Sequence, residues 1–172
     1  KRYENRDLMG FVDGTANPQA DARRMAALVE QGSAHAGASV AITQRWRHSL
    51  GKFNALAMRE QEAVIGRTKA DDIELEGDAM PLNSHVSRTD VKIDGKAMKI
   101  FRRSAPYGDA RDHGLFFVAF ACEQLRIQIQ LERMFGLTED GVHDRIIEFS
   151  QALSGSYWFV PSANTLAALI EA

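Results

Sequence analysis

The sequence predicts an α+β fold in which helices cover one face of an antiparallel sheet. Three observations carry that expectation. Segments that read as strands and segments that read as helices interleave along the chain. Asp94-Gly95, between Val91-Lys92-Ile93 and the residues from Lys96 onward, is a hairpin signal, since a two-residue turn wants positive φ at both central positions. Residues 115–121 are continuously apolar and read as a central strand buried on both faces.

In chain order, residues 8–12 are mostly apolar and read as a short strand that Gly14 breaks. Asn17 reads as a helix N-cap, with Pro18 at the first helical position. Met25, Ala26, Leu28 and Val29 give residues 18–31 an apolar stripe, with Arg23, Arg24 and Glu30 outside it. Gly32 and Gly37 bracket a loop. Residues 39–46 alternate as a strand and end in a basic rim of Arg45, Arg47 and His48. Residues 53–65 read as one helix closed by Gly66. Residues 68–84 are polar and carry no regular signal, the mark of a functional or disordered loop, and His85 stands at its end.

After the hairpin a strand is expected over 97–104. Alternation sends Met98, Ile100, Arg102 and Ser104 to one face and Lys99, Phe101 and Arg103 to the other, with Pro106 and Gly108 ending the strand. Residues 123–135 are ambiguous. Leu125, Ile127, Ile129 and Leu131 alternate like a strand, whereas Leu131, Met134 and Phe135 fit a helix. Val142, Ile146, Phe149 and Leu153 are spaced as a helical stripe. Residues 157–160 read as a last strand stopped by Pro161, and 165–170 as a terminal helix.

Composition narrows the function. With 172 residues, 45% of them hydrophobic, the chain has the size and core of one domain. A net charge of −2 gives no electrostatic footprint for nucleic acid. No apolar run reaches the length of a membrane span. Cys122 is the only cysteine, which excludes a disulfide framework and a thiolate metal cluster and fits a reducing compartment.

The residues that carry chemistry are ambiguous by themselves. Asp13 is delivered between Gly10 and Gly14, which let a flat ligand approach the backbone, yet a turn aspartate bonding its own backbone is the simpler reading. Nothing in composition selects among His35, His48, His85, His113 and His143. Arg102 continues an apolar strand face, so it sits at the mouth of the core or has a buried partner.

An ordered set of motifs resolves these choices. Gly10-Phe11-Val12-Asp13-Gly14-Thr15-Ala16-Asn17-Pro18, Ile65-Gly66-Arg67-Thr68-Lys69, Asn83-Ser84-His85-Val86, the run 100–108 and Gly155-Ser156-Tyr157-Trp158-Phe159-Val160-Pro161-Ser162 fall in the order found in the dye-decolourising haem peroxidases. The chain resembles that family over nearly its whole length, most of all its bacterial, cytoplasmic B-type branch. The resemblance implies a ferredoxin-like domain, helix over 123–135, a cytoplasmic location and a homo-oligomer in the full-length form. Members carry two ferredoxin-like halves, so residues 1–172 are expected to be one haem-binding domain, the C-terminal half, with the N-terminal half outside the chain.

The resemblance also assigns roles. Haem b is the implied cofactor and His85 its proximal iron ligand. Asp144 is the implied partner of that imidazole, although a helix carrying the 142–153 stripe turns Asp144 away from Val142, Ile146 and Phe149 unless the helix begins near Asp144. Asp13 is the implied acid–base group for hydrogen peroxide, Arg102 the cation beside it, and Ser104, where many relatives have asparagine, a positioning group for water or peroxide. Gly14, Leu115, Phe117, Leu131 and Met134, with Phe120 and Phe135, are implied haem contacts, and Arg67 and His48 implied propionate contacts. Tyr107, Tyr157 and Trp158 are candidate relays to bulky donors. The implied reaction reduces hydrogen peroxide through a ferryl intermediate and oxidises dyes or other small-molecule reductants. A haem-handling protein without turnover and a haem-free interaction module are the competing readings.

Overall fold

The computed structural model describes residues 6–171. Its elements are α1 (Ala20–Ala27), β1 (Ser39–His48), α2 (Leu50–Asn54), α3 (Met58–Ile65), α4 (His85–Thr89), β2 (Lys92–Ile93), β3 (Lys96–Ala97), β4 (Phe101–Arg102), β5 (Ala105–Gly108), β6 (His113–Ala121), α5 (Gln124–Met134), β7 (Ser150–Val160) and α6 (Ala163–Ile170). The sheet runs β4–β6–β1–β7, with β5 extending the β4 edge against β6, and every neighbouring pair is antiparallel. Helices cross from β1 to β4 and from β6 to β7, each time with one strand left between. This is a doubled split β-α-β, the ferredoxin-like arrangement, and the predicted α+β class holds.

Register explains which side chains meet. Ile42 lies opposite Ala119 and Val40 opposite Ala121. With Ile100 and Ile127 of α5 they form one core cluster, against which Phe117 and Leu131 pack. The opposite face is only partly covered, at one end by α1, where the Arg23 guanidinium lies 5.2 Å from the Phe101 ring centroid. Phe116 is exposed on that face, which corrects the expectation that 115–121 is buried on both sides. A second core gathers Met9, Phe11, Phe53, Val64, Ile65 and Phe149.

Several expected elements differ, each because a side chain or a distant strand competes for the backbone. Residues 8–12 form a turn, since the Asp7 carboxylate accepts from the Phe11 N–H and the Asp7 carbonyl from the Gly10 N–H. Helix α1 starts at Ala20 and stops at Ala27, because Asn17 is used elsewhere (below) and Leu28 is extended. The 53–65 helix breaks in two: Glu60 accepts from the Ala57 N–H and Gln61 donates to the Leu56 carbonyl. The 97–104 strand is interrupted because Gln130 and Arg126 of α5 donate to the Met98 and Lys99 carbonyls.

Pro106 and Gly108 do not end that strand. They lie within β5, at the sheet's edge, where proline's missing N–H costs no ladder bond. The 142–153 helix is absent; a 3-10 turn over Arg145–Glu148 leads straight into β7, whose pairing with β1 outranks local periodicity. Residues 123–135 are helical as the resemblance implied, and Asp94 and Gly95 both have positive φ in the predicted hairpin.

Candidate functional site

His85 is the first residue of α4, a single turn too short to stand without support. Support comes from three directions. Ser84 caps the turn, its Oγ accepting from the Ser87 N–H. Arg88, only 2% exposed, donates to the Arg133 carbonyl, to both oxygens of Asp140 and to Thr138. Arg133 returns the contact by donating to the Ser87 and Arg88 carbonyls. The Arg88 guanidinium holds the Asp140 carboxyl well below the usual carboxylate range.

The third support is a bare backbone. A Cβ on Gly66 would lie 2.9 Å from Val86 Cβ and 3.0 Å from Ser84 Oγ, and its φ is +93°. Gly66→Ala should therefore cost about 2–4 kcal/mol from backbone strain and overpacking together, read as a lower urea midpoint.

Helix α4 aims His85 at Asp144. Nδ1 donates to Asp144 Oδ2 at 2.7 Å. Asp144 is wholly buried, and its other oxygen accepts from the Ile146 N–H at 2.9 Å. Its own N–H donates to the Met134 carbonyl, and the next N–H to Asn83, two residues before His85. Asp144 is thus the cap of a short turn, not a position on a long helix, and the doubt raised by the helical stripe disappears. With Nδ1 committed to a carboxylate, Nε2 is the ring nitrogen left for a metal.

A second group forms at the sheet edge. Arg102 shares the face of Ala119. Burial pushes its guanidinium down from its ordinary value, and the charge of Asp13 acts in the opposite direction. Asp13 is exposed, followed by Gly14 at φ +83° with open space where a Cβ would stand. Asn17 donates to the Arg102 carbonyl at 3.0 Å and accepts from the Arg102 N–H at 2.9 Å. The two groups are linked through the core: Leu131 and Met134 on α5, and Leu115 and Phe117 on β6, are each half-buried, with Phe117 and Leu131 on the same cluster as Ala119.

Other candidates are committed differently. Ser104 Oγ accepts from the Val118 N–H at 3.3 Å, standing in for a ladder carbonyl. Arg67 spends its guanidinium on Asp72 and Glu74 at 2.8 and 2.7 Å, closing its own loop. His48 bonds Ser150 Oγ at 2.8 Å, and burial pushes its imidazole down from its ordinary value. Tyr107 lies under the Arg45 guanidinium at 4.8 Å, while Tyr157 and Trp158 are exposed on opposite faces of β7. Arg88 and the Arg102 clasp escaped sequence reasoning. A buried arginine has no periodic signature, and the Asn17-Pro18 pair looks like a helix start.

Residues 4–165 match the family model described as Dyp-type peroxidase, C-terminal. The chain is 38% identical over 170 residues to a dye-decolorizing peroxidase of Rhodococcus erythropolis and 36% over 168 residues to one of Mycobacterium tuberculosis. Those alignments take in 96% and 95% of this chain and 50% of each relative, so the chain spans about half the length of the curated relatives it matches. Among solved structures, a dye-decolorizing protein from V. cholerae is 44% identical with a TM-score of 0.89, covering 95% of this chain and 54% of that one. A Rhodococcus jostii RHA1 DypB variant in complex with heme is 35% identical with a TM-score of 0.89, over the same shares. The chain belongs to the Dyp-type peroxidase family and matches its C-terminal domain.

Proposed function

We propose that this chain is the haem-binding domain of a hydrogen-peroxide-dependent peroxidase that oxidises dyes or other one-electron donors. The observation that carries the reading is the 2.7 Å bond from His85 Nδ1 to a wholly buried carboxylate. A carboxylate there makes an imidazole more basic and favours the higher oxidation states of iron. The donor set therefore fits haem b: His85 Nε2 would hold the iron, and Leu115, Phe117, Leu131 and Met134 would wall the porphyrin. Haem, when bound, supplies the redox chemistry that reduces peroxide and draws electrons singly from a donor.

The chain's own residues do the rest. Asp13 takes a proton from hydrogen peroxide and returns it to the departing oxygen. Arg102 is a fixed positive charge beside it, lowering the cost of the hydroperoxide anion and of charge on the parting oxygen. A haem carrier has no need of this pair. No helix among the described residues is long and apolar enough to cross a membrane. The lone cysteine fits a reducing setting, and the cytoplasmic location rests on the likeness to the bacterial B-type branch.

Titrating the protein with haem and recording the visible spectrum before and after one equivalent of peroxide tests the reading. A Soret band that changes with peroxide, and dye bleaching that is faster below neutral pH, are expected. Arg102→Leu should keep the Soret band and slow the reaction with peroxide by about 100-fold. A haem-bound spectrum inert to peroxide would exclude a peroxidase.

A further inference from the structure

We infer that Asn17 is a positioning residue that fixes the backbone of Arg102 relative to Asp13, an inference that rests on the peroxidase reading above. β4 is the outer strand of the sheet, so the backbone of Arg102 on its free side has no strand to pair with. The Asn17 amide fills that vacancy from both directions, donating through Nδ2 to the Arg102 carbonyl at 3.0 Å and accepting at Oδ1 from the Arg102 N–H at 2.9 Å. One side chain performs the hydrogen bonding of a neighbouring strand residue.

The same residue ties down the loop that carries Asp13. The Asn17 N–H donates to the Gly14 carbonyl at 3.0 Å, closing a tight turn that begins one residue after Asp13. Turn and strand are therefore joined at one residue. Asp13 stands on one side of the joint and the Arg102 guanidinium on the other. The outer end of the loop is anchored separately, where Thr15 donates to Asp72. Arg102 and Asn17 are 85 positions apart, and the clasp joins the acid's loop directly to the cation's strand.

The chemistry explains why a fixed relation matters. Proton transfer and charge stabilisation act on adjacent oxygens of one small molecule, so a displacement of about 1 Å between the two groups costs up to about 100-fold in rate. Asn17 touches neither peroxide nor haem in this account. It acts through Arg102 and the Asp13 turn.

Asn17→Ala, Asn17→Asp and the control Thr15→Ala test the assignment, each with two readouts. The first is hydrogen exchange at the Arg102 amide before haem is added. It should quicken by about tenfold in Asn17→Ala and stay slow in Asn17→Asp, which keeps the acceptor, and in Thr15→Ala. The second is the haem-loaded protein. Asn17→Ala should lower kcat/KM for peroxide by about tenfold and weaken cyanide binding to ferric haem by a similar factor, with the Soret maximum and the KM for the dye unchanged. Asn17→Asp should fall between wild type and Asn17→Ala, and Thr15→Ala, which frees only the outer end of the loop, should lose less than Asn17→Ala.

Unchanged exchange at Arg102 in Asn17→Ala would show that the clasp does not hold the strand edge. Faster exchange with unchanged peroxide and cyanide constants would make Asn17 merely structural. Either result overturns the proposal. If Asn17→Ala fails to fold, the intermediate value expected of Asn17→Asp decides it in the same way. A protein that takes up no haem sinks the peroxidase reading instead, and the exchange measurement still judges the clasp.

Discussion

Changing His85 to alanine should abolish the Soret band of the haem-loaded protein while leaving the fold in place. The side chain is part-exposed, and its bond to Asp144 is not part of either core cluster, so deletion removes the proposed ligand more than a packing contact. The variant should lose about 1–3 kcal/mol in urea denaturation, because Asp144 is left buried with the Ile146 N–H as its remaining partner. Asp144→Asn separates the two roles. The amide still accepts from Ile146 and can meet Nδ1, but it carries no charge, so haem should bind and the iron reduction potential should rise relative to wild type. Haem uptake unchanged in His85→Ala would remove the axial ligand from the account.

Phe53→Ala should be the most destabilising single change in the protein, by about 3–5 kcal/mol in chemical denaturation. Phe53 is 0% exposed and lies at the centre of the second core. Its ring meets Phe11 edge-on at 6.4 Å and Phe149 at 5.4 Å. Phe11 lies two residues before Asp13, and Phe149 directly follows the turn that Asp144 caps. One ring therefore packs against the segments that carry both halves of the candidate site. The loss should appear as weaker haem retention as well as lower stability, measured by haem transfer to an acceptor protein. A full-strength haem complex in a destabilised Phe53→Ala would show that the two segments are held independently.

Much of this was legible in the amino acids, for physical reasons. Strand β1 was readable because its apolar residues alternate, and helix α5 because one face of it is buried, although α5 needed the family resemblance to break a tie between two periods. The hairpin was readable because Asp94-Gly95 chooses its conformation locally. The segments around 8–12, 97–104 and 142–153 were not, since polar side chains and a distant strand capture their backbones, and such captures leave no periodic trace. The site followed the same division. His85, Asp13 and Arg102 stand in the motifs that name them, and Asp144 was reached through the resemblance alone. Arg88 and the Asn17 clasp work through backbone carbonyls and amides, and any polar residue at those positions looks unremarkable until its partner is known.

The central strand imposes an order on assembly. β1 is hydrogen-bonded on one side to β7, with His48 and Ser150 meeting across 102 positions. Pairings of such long range form late, because closing a large loop costs entropy before any contact rewards it. During synthesis the inner strand must wait, with one edge open, until residues 150–160 have emerged from the ribosome. A chain cut short before residue 150 would leave that edge open for good, an invitation to aggregate.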